Sequence, residues 1–217
     1  MSATSQMAER FRGYLPVVID IETGGFDASR DAILELAGVL LEFEGDQLFP
    51  GKKLHYQIEP SPGMNIDPAS LSFTGIDPYD PARNATSELE AFKEFFAEVR
   101  RAIKSAHCTR AVIVAHNAAF DHQFVRSASE RNNLKRNPFH PFTYFDTASI
   151  AAVAYGQTVL SRACAQAGVP FDEKQAHSAL YDAERAALLF CEIVNRWMRM
   201  GGWPPEGSMT SEDPPVE

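Results

Sequence analysis

The sequence predicts one α/β domain built on a mixed β-sheet. Apolar runs rich in Val and Ile dominate the first third of the chain, as in buried strands, and apolar residues at helical spacing dominate the rest. Strands followed by helices interleaved with short strands are typical of such a domain. A chain of 217 residues, 45% of them hydrophobic, is long enough to bury one core of this kind.

Four strands are predicted, three of them in the first third of the chain. The first two are continuous apolar runs, and the third alternates apolar and polar residues (LHYQI), which indicates a half-buried strand. Gly24-Gly25 predicts a turn after the first strand, and Pro60 and Gly63 end the third. The predicted strands are Leu15–Ile21, Ile33–Leu41, Leu54–Ile58 and Arg110–Ala115.

Six helices are predicted, the last of them long, amphipathic and ended by Gly201-Gly202. The short apolar stretch that ends at Phe145 is assigned to no element. We expect residues 1–13 to form a polar lead-in, residues 14–204 the domain and residues 205–217 a mobile acidic tail. The predicted helices are Pro68–Thr74, Glu88–Lys104, Phe120–Asn132, Thr147–Tyr155, Leu160–Ala167 and Ser178–Met200.

Composition excludes several classes of protein. The longest unbroken apolar runs have six residues, whereas a membrane-spanning helix needs about 20. The first residues lack the apolar core of a secretion signal. Cys108, Cys164 and Cys191 are odd in number and far apart, which argues against a disulfide framework and against a cysteine-rich zinc site. We therefore expect reduced thiols in a cytoplasmic protein.

The charge is negative overall but unevenly distributed. Twenty Lys and Arg residues against 29 Asp and Glu residues give a net charge of −9, which disfavours a polyanionic partner. Residues 100–136, however, contain eight basic side chains and only two acidic ones. This basic run has two explanations: an ordinary solvated surface or a nucleic-acid-binding face. Charge alone does not distinguish them.

Four acidic residues emerge from apolar elements. Asp20 and Glu22 end the first strand two residues apart and so share one of its faces. Asp121 follows the fourth strand, and Asp182 lies early in the last helix. Taken one at a time, these acids have ordinary structural explanations: Asp20 and Glu22 as a strand end that emerges into solvent, and Asp121 and Asp182 as acids at a helix start. Together they supply the oxygen ligands that a pair of hard divalent cations needs, and such a pair supports phosphodiester cleavage.

His177 is a candidate general base. It lies five residues before Asp182, a spacing that does not put both side chains on one helix face, so we expect it in the loop ahead of the last helix. There its imidazole could take a proton from a water molecule near neutral pH. A structural or surface role is the alternative for His177. That role is expected for the other histidines, His55, His107, His116, His122 and His140.

Three sequence blocks carry a resemblance to a known family. Asp20-x-Glu22-Thr-Gly-Gly, His116-Asn-x-x-Phe-Asp121 and His177-x(4)-Asp182 occur in the order and spacing of the DnaQ-like 3′→5′ exonucleases of the DEDDh type. The resemblance implies a ribonuclease H-like fold, a mixed five-stranded sheet flanked by helices. It also implies two Mg²⁺ ions on the four acids, with Mn²⁺ as a substitute, and His177 as the general base. The product would be nucleoside 5′-monophosphates.

Further segments resemble one subgroup of that family, over nearly the whole chain. They include Phe73–Pro78, Lys135–Phe142 and Gly156–Leu160. The resemblance implies trimming of single-stranded 3′ ends of tRNA and other stable RNAs, with single-stranded DNA ends as a further substrate. It implies a homodimer in which the basic patch of one subunit feeds the active site of the other. The matching patch residues are Arg10, Arg12, Lys104, Arg110, Lys135 and Arg136.

Four phenylalanines match positions that sandwich terminal bases in this subgroup: Phe26, Phe73, Phe120 and Phe142. Aromatic faces bind any base by stacking. Without the resemblance, each would be assigned to the core. One position departs from the pattern. Ala69 stands where the subgroup has a glutamate that contacts the base and is tied to reluctance at cytosines.

Two alternatives stay open. A proofreading exonuclease that partners a DNA polymerase would share every catalytic residue, but the Lys135–Phe142 and Gly156–Leu160 segments favour the RNA enzyme. A non-catalytic nucleic-acid-binding module on the same scaffold would have lost one or more of the acids, and all of them are present here.

Overall fold

A single mixed sheet of five strands forms the centre of the protein. The structure is a computed structural model and describes residues 3–203. The strand order is β3-β2-β1-β4-β5. Strand β2 is antiparallel to both β1 and β3, and β4 is parallel to both β1 and β5. The mixed five-stranded sheet is confirmed. The strands are β1 Tyr14–Thr23, β2 Ile33–Glu44, β3 Gln47–Gln57, β4 Arg110–Ala115 and β5 Phe139–Asp146.

Seven α-helices surround this sheet within the described residues, and a single 3₁₀ turn covers Pro81–Arg83. All six predicted helices are present. The longest of the seven, α7, packs against β1, β2 and β3, while α3 and α4 contact each other and β1. The helices are α1 Ala3–Arg10, α2 Pro68–Thr74, α3 Glu88–Ser105, α4 Ala119–Arg131, α5 Thr147–Tyr155, α6 Leu160–Ala167 and α7 Ala179–Arg199.

The core lies around β1. Val17, Val18 and Ile19 are completely buried, because a central strand is covered on both faces and is therefore apolar at successive positions. Phe92 and Phe95 of α3 are also fully buried in the same cluster. This rigid strand carries Asp20 and Glu22 at its carboxyl end. None of the helices within residues 3–203 is long and apolar enough to cross a membrane.

Two strand predictions need correction. The third strand begins at Gln47, not Leu54, because Gly45 adopts a positive φ of 58° in a tight hairpin and residues 47–49 pair back onto β2. The fifth strand was missed. The stretch that ends at Phe145 belongs to β5, an edge strand, where the missing N–H of Pro141 is tolerated.

The N-terminal segment, expected to be a polar lead-in, contains α1 and contributes to the core. Met7 and Phe11 are buried, and the Phe11 ring lies 5.9 Å from that of Phe145 and 6.1 Å from that of Phe190. The polar composition of this segment concealed two apolar residues four positions apart, a spacing that places them on one side of a helical turn. The expected acidic tail, residues 205–217, lies outside the described residues.

Candidate active site

The carboxyl end of β1 presents two carboxylates on one face. Asp20 and Glu22 alternate with the buried Ile19 and Ile21, so their side chains leave the sheet on the side away from those residues. The β2 partner of Asp20 is Ala37, a small residue that leaves room in front of the strand.

Asp121 joins these two residues from the first turn of α4. It is 3% exposed, and the backbone of Asp121 itself and of Ile21, which lies between Asp20 and Glu22, partly opposes the rise in its pKa that burial causes. A hydrogen bond from β5 fixes the turn before α4: the carboxylate of Asp146, the last residue of β5, accepts the N–H of Asn117 at 2.9 Å. Sequence analysis missed Asp146, whose pairing with the end of β4 is a tertiary contact.

Asp182 and His177 complete the group. His177 lies in the turn before α7, as predicted, with a φ of 68°, and Asp182 lies in the first turn of that helix. The His177 N–H donates to Asp182 Oδ2 at 2.9 Å. One ligand atom each from Glu22, His177 and Asp182 lie within 4.8 Å of one another.

The four carboxylates are held where their charges are unfavourable. Burial raises the pKa of Asp20 well above its ordinary value, and the nearby Asp121 and Glu22 raise it further. Burial also raises the pKa of Glu22 to about 8, with Asp182 as the next cause. The pKa of Asp121 rises to about 8, again chiefly through burial. Burial raises the pKa of Asp182 too, although the His177 N–H opposes this shift.

These residues fit a divalent cation. Asp182 Oδ1 is buried and accepts no hydrogen bond from any described residue. A buried acidic cluster of this kind is unfavourable unless a positive charge compensates it. Carboxylate oxygens are the donors that Mg²⁺ and Mn²⁺ prefer, and an imidazole beside them suits the transition metals as well. The donor set is therefore that of an acidic metal-binding site.

A comparison with protein-family models agrees with this geometry. The family model described as "Exonuclease" (RNase_T) matches residues 17–190, a span that includes all four carboxylates and His177. The chain belongs to this exonuclease family. Curated relatives named ribonuclease T match over nearly the full length. The relative from Photorhabdus laumondii is 60% identical over 203 residues (93% of this chain and 94% of the relative), and that of Escherichia coli K12 is 59% identical over 199 residues (91% and 93%).

Solved structures with the same fold are exonuclease I enzymes. Escherichia coli exonuclease I with a dT13 oligonucleotide has a TM-score of 0.64 and 17% identity, over 88% of this chain and 43% of that one. The Methylocaldum szegediense enzyme has a TM-score of 0.63 and 20% identity, over 84% and 40%. The exonuclease described here spans less than half of those chains. The comparison confirms the ribonuclease H-like exonuclease fold.

Three of the four predicted stacking residues of this exonuclease lie at the carboxylate cluster. The Phe73 ring lies 4.1 Å from that of His177, and Phe73 is 66% exposed. Phe26 is 86% exposed and 6.4 Å from Phe120, the residue before Asp121. We refer to the four carboxylates, His177 and these three phenylalanines together as the slot.

A clasp centred on Asp31, which sequence analysis missed, joins the segments that carry Phe26 and Phe73. The Asp31 carboxylate accepts hydrogen bonds from the Asp27 N–H and from the Asn65 amide, both at 2.8 Å. Asp27 follows Phe26, and Asn65 precedes α2, which carries Phe73. A Cβ atom at Gly25 would collide with the Asp31 carboxylate, so a larger residue there would displace the side chain that makes these bonds.

Phe142 and the basic residues of this exonuclease lie elsewhere. Phe142 is 81% exposed on β5 and lines a pocket with Arg110 and Lys135. Arg12 precedes β1, and Arg110 begins β4 beside Tyr14, so both lie at the amino ends of the parallel strands. Asp20 lies six positions after Tyr14, or roughly 20 Å farther along the strand. The predicted basic patch and the carboxylates thus lie at opposite ends of the sheet.

The remaining patch residues divide into exposed and packed side chains. Lys104, Lys135 and Arg136 are exposed near the end of α3 and in the loop before β5. The Arg10 guanidinium instead lies 4.5 Å from the centre of the Trp203 ring, and burial lowers its pKa. Arg10 therefore packs against the protein more than the other patch residues do.

Proposed function

We propose that this exonuclease trims single-stranded 3′ ends of tRNA and other stable RNAs, and also single-stranded DNA ends, by metal-dependent hydrolysis. The observation that supports this most directly is the convergence of Asp20, Glu22, Asp121 and Asp182 with His177 in one slot lined by exposed aromatic rings. The ribonuclease T relatives, which match along nearly their full length, support RNA as the substrate.

In the proposed reaction, two divalent cations, Mg²⁺ or Mn²⁺, would be held by Asp20, Glu22, Asp121 and Asp182. When bound, such ions stabilise the negative charge that develops on the attacking and leaving oxygens of a phosphodiester. His177 takes the proton from the attacking water, and its ring is held against Phe73. The hydrogen bond from its backbone to Asp182 fixes its position relative to the carboxylates. The product is a nucleoside 5′-monophosphate.

Aromatic stacking favours a single-stranded end. Phe26 and Phe73 are exposed in the slot, and Phe120 lies beside Phe26. Stacking is worth about 1–3 kcal/mol per base and requires unpaired bases, whose faces are free. Bases within a duplex are already stacked on their neighbours, so the aromatic slot selects single strands.

The position of the basic residues supports a homodimer. Within one subunit, Arg12 and Arg110 lie at the amino ends of the strands and Asp20 near the carboxyl end of β1, so the patch does not adjoin the slot. A second subunit could place its patch, together with Phe142, beside the first subunit's carboxylates. Closed two-fold dimers are the commonest assemblies of identical chains.

An exposed apolar groove supplies a surface for such a dimer. Val153 of α5 is 91% exposed, and Trp197 and Met200 at the end of α7 are 54% and 71% exposed. Arg12, Tyr14 and Ser149 also line this groove. An apolar patch of this kind marks an interaction site, and here it adjoins the basic residues that the proposal brings to the second subunit.

Digestion of an RNA with a labelled 5′ end and a single-stranded 3′ tail tests the activity. We expect stepwise shortening from the 3′ end and release of nucleoside 5′-monophosphates with Mg²⁺ or Mn²⁺, and no cleavage with EDTA. Single-stranded DNA in competition with tRNA separates this proposal from a proofreading exonuclease. A preference for DNA primer ends would contradict the RNA assignment, and metal binding without nucleotide release would indicate a binding module.

Subunit mixing tests the dimer. One variant, Asp20→Asn, loses the carboxylate site, and another, Arg110→Ala with Lys135→Ala, loses part of the basic patch. Asp20→Asn alone is expected to be inactive, and the patch variant alone to be weakly active. After dissociation and reassociation together, some mixed dimers contain one intact patch facing one intact site, and activity should recover. No recovery, or sedimentation as a monomer, would contradict the assembly.

A further inference from the structure

Glu35 is a buried carboxylate next to the slot that the proposed reaction does not use. It lies on β2 directly opposite Glu22 of β1 and is only 6% exposed. Buried carboxylates are rare unless they are hydrogen-bonded or paired. The contacts of Glu35 therefore indicate why a carboxylate is kept at this position.

The Glu35 carboxylate joins the sheet to the start of α7. Its Oε2 accepts the backbone N–H of Ala179 at 3.0 Å, and Ala179 is the first, fully buried residue of that helix. Its Oε1 contacts Nε2 of His55 on β3. Each oxygen is thus bound by a different element of the fold.

The residue at the cap position of α7 does not cap the helix with its side chain. The first N–H groups of a helix have no partner within the helix, and a capping side chain usually accepts one of them. Ser178 stands at the cap position of α7, but its side chain makes no such bond. Glu35, 144 residues away in the sequence, supplies an acceptor at this helix end instead. Its negative charge also suits the amino end of a helix dipole.

The turn that Glu35 holds carries two residues of the slot. His177 lies two residues before Ala179, and Asp182 lies three residues after it. The two are linked by the His177 N–H bond to Asp182. A shift of this turn would move both side chains together relative to Asp20 and Glu22, which are fixed on the central strand.

Other contacts hold Glu35 itself in place. Arg83 donates to the carbonyl oxygen of Leu34 at 2.6 Å and to the side chain of Gln57, the β3 residue paired with Glu35, at 2.7 Å. These bonds tie the 3₁₀ turn after α2 to β2, next to Glu35, and to the neighbouring strand β3. The Glu35 carboxylate therefore extends from a part of β2 that Arg83 holds in place, and it reaches the start of α7, which Ser178 does not cap.

We propose that Glu35 is a positioning residue for the exonuclease reaction. The Glu35 carboxylate fixes the first turn of α7 and thereby places Asp182 and His177 against the carboxylates of β1. This inference rests on the proposed function of the slot. Residues that orient metal ligands typically change activity by 10- to 100-fold when they are removed.

The test compares three substitutions of Glu35 in the full-length protein. Glu35→Gln keeps an oxygen for the Ala179 N–H and an amide for His55. Glu35→Asp keeps the charge but withdraws the carboxylate from Ala179, and Glu35→Ala removes it. We expect kcat on a single-stranded RNA tail to fall about 10- to 100-fold in the Asp and Ala variants, with KM changed less than about twofold. The Gln variant should keep kcat within about threefold of the wild type.

Asn195→Ala is the matched control. Asn195 is also buried, and its amide ties α7 to the backbone of Leu48 in β3 at 2.8 and 2.9 Å, far from Asp182. It should lower the melting temperature and leave kcat unchanged in conditions where the protein is folded. Loss of kcat in the Gln variant equal to that in the Ala variant, or equal loss in Asn195→Ala, would overturn the proposal.

Amide hydrogen exchange gives a readout independent of activity. Peptides that cover residues 177–185 should exchange faster in the Asp and Ala variants than in the Gln variant and the wild type. Unchanged exchange there would overturn the positioning role even if the enzyme is active. An inactive wild type would contradict the proposed function, while the exchange experiment would still report on Glu35.

Discussion

His177 and Asp182 are joined by a hydrogen bond of 2.9 Å from the backbone N–H of the first to Oδ2 of the second. The other oxygen of Asp182 is buried and has no partner within residues 3–203. One carboxylate thus fixes the proposed general base through one oxygen and leaves the second oxygen for a cation. The two roles assigned to these residues depend on the same turn.

Replacement of His177 by Ala should reduce kcat about 10²- to 10⁴-fold, the range expected for loss of a general base. The ring is exposed to solvent in a turn, so the fold should persist. Cleavage of a labelled RNA tail with Mg²⁺ measures the rate, and circular dichroism checks the fold. Near wild-type cleavage would contradict the assignment.

Asp20→Asn should reduce cleavage to background. This variant keeps the general base but replaces the negatively charged carboxylate of a proposed metal ligand by a neutral amide. Without metal, the same variant should be more stable than the wild type near pH 8, since burial and the neighbouring carboxylates disfavour the ionised Asp20. Thermal denaturation in EDTA measures this. A less stable variant under those conditions would argue against the repulsion.

The stability of the metal-free protein should fall as pH rises. Glu22 and Asp121 have a pKa of about 8 in the folded protein, above the ordinary range of carboxyl groups, because both are buried. Between pH about 4 and about 8 the folded state therefore binds more protons than the unfolded state, and the free energy of unfolding decreases with pH. Urea denaturation in EDTA at several pH values tests the sign.

Mg²⁺ should reverse this trend, since the ion binds the ionised carboxylates and stabilises the folded state most at the alkaline end. The same denaturation series with Mg²⁺ provides the comparison. Equal stabilisation by Mg²⁺ at every pH would show that the four carboxylates are not its site.

Phe26→Ala should raise KM for a single-stranded tail by about 5- to 150-fold, which corresponds to the 1–3 kcal/mol of one stacked base. Phe49→Ala is the matched control, because Phe49 is 40% exposed on β3, away from the slot. Steady-state kinetics on one RNA distinguish them. Similar KM values for both variants would remove Phe26 from the substrate site.

Loss of Arg110 and Lys135 should weaken the salt dependence of RNA binding. Each phosphate contact contributes roughly 0.7 to the slope of log affinity against log salt concentration for a single strand. Lys52→Ala with Lys53→Ala is the control, since both lysines lie on β3, at the opposite edge of the sheet from β5. Filter binding over a salt series measures both slopes. Equal slopes would place the RNA elsewhere.

The sequence by itself determined the composition of the slot. The apolar run of β1 places Asp20 and Glu22 on one face, and the five-residue offset of His177 from Asp182 predicts its loop position. These features follow from the periodicity of strands and helices, which depends on residues close together in the sequence and not on tertiary contacts.

Only the tertiary structure decided what supports the slot and what lies far from it. The bond from Glu35 to Ala179 and the clasp between Asp31 and Asn65 join residues distant in sequence. The placement of Arg110 at the far end of the sheet from Asp121 depends on the parallel pairing of β4 with β1. Strand register and helix docking are set by long-range packing, so residue spacing gives no measure of which side chains finally meet.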